Sequence, residues 1–331
     1  MFEVRNVEMK NIVIIGAGQI GSRHLQAMAL LEGDANVQLV DPSEESLKVA
    51  KERFLQVYQE GSNKIDLKCH RTVNDLSGPI DLVIVATCSD IRSGVIKELT
   101  RNQEVKNFIL EKVLFQTVSE YFEIDDLLRK KNILTWVNCW MREKDFYKKL
   151  KTQLDPDGKI QMNVEGSWGM GCNSIHFIDL FSYLTSCIDF DFIDCQLDSE
   201  ILNSKRSGFK EFSGKLTGRN SKGHSLTLRC DNGKEPYKIQ IINGSRRHEI
   251  KDCVNHVTHK FFDGEKQFVE NVKIPFQSQT THRLIKDIIN NKNCDLPSYR
   301  DSMNLHLPII NVFIEHLQNV IGEKVEKCPI T

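Results

Sequence analysis

The chain has 331 residues, enough for two domains of ordinary size, each with its own core. Its 44 basic and 45 acidic residues leave a net charge of −1, so no global field draws it to nucleic acid or an anionic membrane. No stretch approaches the roughly 20 apolar residues of a membrane span, and Met1 to Lys10 lack the apolar core of a secretion signal; the expectation is a cytoplasmic protein with no nucleic-acid and no membrane partner.

The first predicted element is a buried strand, Asn11 to Ile15, running into Gly16-Ala17-Gly18-Gln19-Ile20-Gly21 and then a helix from Ser22 to Leu31. In this Gly-x-Gly-x-x-Gly turn Gly16 permits the sharp bend, Gly18 lets a pyrophosphate approach the backbone, and Gly21 lets helix and strand pack closely. Phosphates would sit at the helix N-terminus, where amides lack partners and the dipole favours negative charge. Gly16, Ala17, Gly18, Gln19, Ile20 and Gly21 are therefore candidate dinucleotide-binding residues. A second strand, Val37 to Val40, ends on Asp41, about 20 residues beyond the last glycine, where a carboxylate can hold an adenosine ribose diol. That carboxylate favours NAD over NADP, since it would repel a 2′-phosphate. The bland alternative for Asp41 is capping of the next helix, a role that Ser43 can also fill.

The alternation continues with a helix from Glu44 to Gln59, strands Ile65 to Cys69 and Ile80 to Thr87, and a helix from Arg92 to Thr100. The strand Asn107 to Glu111, a helix from Val118 to Lys131 and the strand Ile133 to Asn138 complete the series. It predicts a six-stranded, doubly wound parallel sheet of Rossmann type over residues 1–140. Beyond Met141 the strands become more polar and glycine turns appear at Asn220 to Gly223, Asp231 to Gly233 and Asn243-Gly244. Residues 141–331 are expected to form an α/β domain with an open, mainly antiparallel sheet. Its predicted strands are Lys159 to Trp168, Phe190 to Leu197, Glu211 to Leu216, Ser225 to Cys230, Tyr237 to Ile242, His248 to Lys251 and Asn255 to Phe262. Its predicted helices are Asn173 to Leu184, Thr280 to Asn290 and Tyr299 to Ile321. The fold class is α/β, and the default place for a ligand is the crevice between the halves.

Two residues stand out for proton transfer. Lys112 follows an apolar strand at its carboxyl end, where α/β sheets place their ligands; partial desolvation would let it exchange a proton with a hydroxyl or carbonyl. Its bland alternative is an ion pair with Glu111. His176 lies in the first turn of a helix opened by Trp168-Gly169-Met170-Gly171-Cys172, with Asp179 on the same edge, placed as an acid/base or hydroxyl-orienting group. Arg142, just past the last strand of the first half, and Asn173 are candidates for holding substrate. Ten cysteines without any Cys-x-x-Cys pair read as free thiols. Cys253-x-x-His256-x-x-His259 has metal-like steps, but on a strand they alternate faces, so no metal is expected.

The sequence resembles the Gfo/Idh/MocA family of sugar and cyclitol oxidoreductases. The resemblance rests on the Gly16 to His24 run, on Ala86-Thr87-Cys88-Ser89-Asp90, on Glu111-Lys112-Val113 and on His176-Phe177-Ile178-Asp179. It implies an NAD(P)-dependent enzyme acting on CH–OH groups, with Lys112 contacting nicotinamide ribose and the reacting hydroxyl, His176 as the catalytic histidine, and Thr87 and Glu111 in the cofactor site. The implied substrate is a sugar, sugar derivative, nucleotide sugar or cyclitol, with a role in surface-glycan biosynthesis, and the implied assembly is a homo-oligomer, a dimer or tetramer. Two departures stand in these motifs: Val113 replaces a proline, and Cys172 and Ser174 replace the aspartate and glycine of an Asp-x-Gly-x-His-x-x-Asp pattern. A neutral thiol cannot supply the missing charge. That loss motivates the alternative of an NAD-binding regulatory or assembly protein without redox turnover.

Overall fold

The computed structural model describes residues 9–331 except 60, 62 and 254, so the reading of the opening segment falls, but for residues 9 and 10, outside the described residues. The chain divides into two compact units. The first holds residues through Glu111 together with Asp126–Trp136 and Phe276–Asp295; the second holds Lys112–Asp125, Val137–Pro275 and Leu296–Thr331.

The first unit is built on β1 (Lys10–Ile15), α1 (Gln19–Ala27), β2 (Ala35–Val40), α2 (Glu44–Leu55), β3 (Ile65–His70), β4 (Leu82–Val85), α3 (Ser89–Asn102) and β5 (Asn107–Leu110). After α4 (Val118–Lys130), which the unit boundary divides, comes β6 (Leu134–Val137). The strand order is β3-β2-β1-β4-β5-β6, and pairing from β3 through β5 is parallel. Ile12, Val13, Ile14, Leu82, Val83, Ile84 and Val85 have no accessible surface. Such continuous burial is what a parallel sheet needs when helices cover both faces, and it explains the unbroken apolar runs of β1 and β4.

The second unit begins with α5 (Asp145–Gln153), β7 (Ile160–Gly166), α6 (Met170–Thr185) and β8 (Asp191–Leu197). The two-residue strands β9 (Leu202–Asn203) and β10 (Lys210–Glu211) pair with each other. Then follow β11 (Gly214–Arg219), β12 (Ser225–Cys230), β13 (Lys238–Asn243), β14 (Arg246–Asp252), β15 (His256–Asp263) and β16 (Lys266–Lys273). The eight-stranded sheet has the order β16-β15-β14-β13-β7-β12-β11-β8. Only β7 and β12 pair in parallel among its neighbours. Along β7, Ile160, Met162 and Val164 are buried while Gln161 and Glu165 are exposed, the two-residue alternation of a sheet with one covered face. Helix α6 packs on that sheet and is buried along nearly its whole length, so its polar residues need partners inside the protein.

A single cut after residue 140 does not match this division. The segment with α7 (Thr281–Asn291) belongs to the first unit, where the turn Gln277–Gln279 packs against α1, while α8 (Tyr299–Ile321) belongs to the second. Helix α5 and strand β16 were absent from the sequence reading. Strand β16 is exposed over Lys266–Val269, so it lacks the apolar alternation that marks a strand.

Candidate functional site

In the first unit, β1 ends in the glycine turn and Gly16 N donates to Val40 O at 2.8 Å, tying the turn to β2. Gly16 has φ +97°, and a Cβ on Gly21 would lie 1.7 Å from Gly16 O, so only glycine allows α1 to start this close to the strand. A Cβ on Gly18 would meet nothing within 4 Å: that side of the turn is open. Helix α1 starts at Gln19 without a side-chain cap, leaving its first amides to a ligand. Asp41 sits at the end of β2 with Oδ2 accepting from Ala17 N at 2.7 Å and Oδ1 accepting from Ser43 N at 2.8 Å. Capping of α2 falls to Ser43, whose hydroxyl accepts from Ser46 N. The pairing of β2 with β3 brings one cation, Arg71, to this loop, where it donates to Pro42 O at 3.0 Å. Just beyond β4, Thr87 Oγ1 is buried without a hydrogen-bond partner, and the Thr87 carbonyl accepts from the buried Arg92 guanidinium.

At the end of β5 the Glu111 carboxylate is held by His24 Nε2 at 2.9 Å and Gln277 Nε2 at 3.3 Å, while His24 Nδ1 meets Thr281 Oγ1 at 2.9 Å. This network accounts for His24 after the last glycine: a fully buried imidazole that pins α1 to β5 and to the returning segment. The glycine turn, open on one side, the uncapped α1, the ribose-height carboxylate and the unsatisfied Thr87 hydroxyl together fit a dinucleotide.

In the second unit, Lys112 is half-buried and its Nζ donates to Cys172 O at 2.9 Å; the Lys112–Val113 peptide is cis. The Cys172 carbonyl belongs to the first turn of α6, one turn before His176. His176 is buried, its Nδ1 has no hydrogen-bond partner, and the Trp140 ring packs edge-to-face against it with the ring centroids 6.2 Å apart. Burial and the charge of Lys112 hold the His176 pKa well below its ordinary value, so at neutral pH the imidazole is an uncharged proton acceptor. Asn173 Nδ2 donates to Trp168 O and to Cys172 Sγ, and its Oδ1 remains to accept a hydroxyl. Arg142, from the turn Trp140–Glu143, reaches α6 further along: its Nε and Nη2 grip the fully buried Asp179 carboxylate at 2.8 and 2.6 Å. That two-pronged pair takes up the Asp179 edge, although burial still pushes the Asp179 pKa up to about 6.

Sequence reasoning missed two groups here. Glu211, from β10, places Oε2 2.6 Å from Gly171 N and 3.3 Å from Cys172 N, capping α6 with a carboxylate distant in the chain. Lys144 is buried 4.0 Å over the Trp140 ring and bound to both oxygens of Asp252 at 2.7 and 2.6 Å, with the Tyr147 hydroxyl donating to the same carboxylate. The charge-rich run after Asn138 hinted at Lys144; nothing near Glu211 in the sequence pointed to α6. All ten cysteines are free. His256 is exposed and His259 buried on alternate faces of β15, and among the described residues no His, Cys, Asp and Glu group is arranged to hold a metal. No helix among them is long and apolar enough to cross a membrane.

A glycine turn of this geometry on a parallel sheet, followed by a strand-terminal acid, defines a dinucleotide-binding domain. Residues 10–139 match the model of the Gfo/Idh/MocA oxidoreductase family with its NAD-binding Rossmann fold. No curated protein matches the sequence. Solved structures share the fold over nearly the full length. One is an oxidoreductase from Agrobacterium radiobacter in complex with NAD+, L-tartaric acid and magnesium, with TM-score 0.71 and 12% identity, covering 96% of this chain and 98% of that one. UDP-N-acetylglucosamine 3-dehydrogenase GnnA from Acidithiobacillus ferrooxidans has TM-score 0.62 and 13% identity over 96% and 98%. A super-repressor mutant of Gal80p from Saccharomyces cerevisiae has TM-score 0.67 and 15% identity over 96% and 97%. At these identities the likeness concerns the fold.

Proposed function

We propose that the protein is an NAD-dependent dehydrogenase or reductase acting on a CH–OH or carbonyl carbon of a sugar, sugar derivative or nucleotide sugar. The observation that carries this reading is the pairing, within one unit, of Lys112 with an uncharged, unpartnered His176. NAD, when bound, supplies the hydride acceptor or donor. Gly16 to Gly21 and the start of α1 hold its phosphates, Asp41 its adenosine ribose, and Thr87 and Glu111 line the same end of the sheet. The substrate hydroxyl gives its proton to His176 or takes one back, Lys112 stabilises the developing oxyanion as a cation, and Asn173 Oδ1 orients a neighbouring hydroxyl. The likeness to a UDP-N-acetylglucosamine dehydrogenase supports nucleotide sugars as the first substrates to try. Exposed Ile193 on β8 and Phe268 and Val269 on β16 offer apolar surface that a homo-oligomer would cover, and a cytoplasmic site of action belongs to the same reading.

A second reading, an NAD-binding regulator without turnover, draws on the likeness to Gal80p and on the uncharged thiol at Cys172. Calorimetric titration with NADH and NADPH, then absorbance of the NAD-loaded protein against sugars and nucleotide sugars, separates the two. Tight NADH binding with a substrate-dependent change upholds the dehydrogenase; binding with no turnover across the panel replaces it by the regulator.

A further inference from the structure

The first turn of α6 carries two contacts at the lysine end of the second unit, one from its amides to Glu211 and one from Lys112 to its Cys172 carbonyl. Its Oε2 accepts from Gly171 N and Cys172 N at 2.6 and 3.3 Å, and the Cys172 carbonyl of that turn receives Lys112 Nζ at 2.9 Å. The fit is close: a Cβ on Gly171 would lie 2.9 Å from Glu211 Oε2, and one on Gly169 would lie 3.2 Å from Oε1. Glycine at both positions leaves the room that the carboxylate occupies, which an ordinary cap on the preceding residue would not require. Burial pushes the Cys139 and Cys172 thiols and the Glu211 carboxyl up and His176 down, while the Cys172 thiol, the amides of Gly171 and Cys172 and the charge of Lys112 pull Glu211 back.

We propose that Glu211 is a positioning residue for Lys112: its carboxylate fixes the α6 turn whose Cys172 carbonyl anchors the Lys112 side chain. The proposal rests on the reading of Lys112 as the cation that stabilises the developing oxyanion. Glu211 itself moves no proton to substrate; it sets where Lys112 Nζ sits.

The test is acetylation of the full-length protein with N-hydroxysuccinimidyl acetate at about pH 8, resolved by peptide mass spectrometry, in wild type, Glu211→Ala and Glu211→Gln. Removing the acceptor of the Gly171 and Cys172 amides should release Lys112 Nζ from the Cys172 carbonyl and speed Lys112 labelling by about threefold to tenfold in Glu211→Ala. Glu211→Gln keeps an oxygen acceptor and should label near the wild-type rate, and the exposed Lys324 and the buried Lys144 should be unchanged in all three. Wild-type labelling of Lys112 in Glu211→Ala overturns the proposal, as does faster labelling of Lys144 alongside Lys112, which would mean that the unit had loosened as a whole. NADH affinity should be equal in the three proteins. Where the wild type turns over a nucleotide sugar, Glu211→Ala should lower kcat more than it raises KM. If the wild type turns over nothing, the dehydrogenase reading falls, while the labelling still decides the role of Glu211.

Discussion

The two ends of chemistry in this molecule are built from different materials. The glycine turn of the first unit is almost all backbone: amides at the start of α1, a bend at Gly16, a close approach at Gly21, and one carboxylate, Asp41, which is itself held by backbone amides. The lysine end of the second unit is made of side chains gathered from β10, α6 and the segment after β5, with Glu211, His176 and Lys112 brought together only by the fold. A backbone-built site demands particular residues at fixed spacing, whereas a side-chain site demands only that the right atoms converge.

The largest expected effect sharpens this contrast. Lys112→Ala should cut turnover by about 10² to 10³, the range for losing an oxyanion-stabilising group, with NADH affinity retained in calorimetry; full activity would remove Lys112 from the chemistry. Arg142→Ala should next destabilise the protein by about 3–5 kcal/mol in chemical denaturation, because it strands a buried carboxylate at Asp179. Arg142→Met combined with Asp179→Leu should recover most of that, and no recovery would mean that the pair does more than satisfy itself. Asp41→Ala should weaken NADH binding by about tenfold, roughly 1.4 kcal/mol, and raise relative affinity for NADPH, with Arg71 beside the vacated position. An unchanged NADPH to NADH ratio would take Asp41 out of the ribose site.

The smallest effect concerns pH. His176 and His248 are both held below the ordinary 6.5, mainly by burial, His248 to about 4. Between those values the unfolded chain binds more protons than the folded one, so their contribution to stability is intact above about pH 6.5 and is lost as the pH falls. Asp179 acts the other way, since the folded chain takes up its proton first, near pH 6. His248→Gln should flatten the decline in melting temperature between about pH 6.5 and 4 by up to a few degrees; an unaltered slope would mean that His248 does not titrate with unfolding.

The same contrast governs what was legible beforehand. The order of β1, α1, β2 and Asp41 could be read because each step is local, and the alternation of strand and helix carried the parallel sheet. Lys112 and His176 were also legible, since each stands beside a recognisable boundary. Glu211 was not, because a two-residue strand between polar loops carries no periodicity, and its importance lies in a contact with α6 far along the chain. The buried Lys144–Asp252 pair was hidden for a similar reason: in sequence both look like surface charges, and only the packing of Trp140 and Tyr147 over them shows otherwise. Arg142 was noticed as a cation, but its commitment to Asp179 follows from the burial of α6 on every side.

The clasp of His24, Glu111, Gln277 and Thr281 has a consequence for how the protein is made. A ribosome delivers His24 and Glu111 early, but Gln277 and Thr281 only after the whole eight-stranded sheet has been synthesised, so the first unit cannot finish closing while the chain is growing through the second. Until Phe276–Asp295 emerges, the fully buried His24 lacks its Thr281 partner, and a nascent or truncated N-terminal half is left with an open seam along α1 where chaperones and proteases would find it.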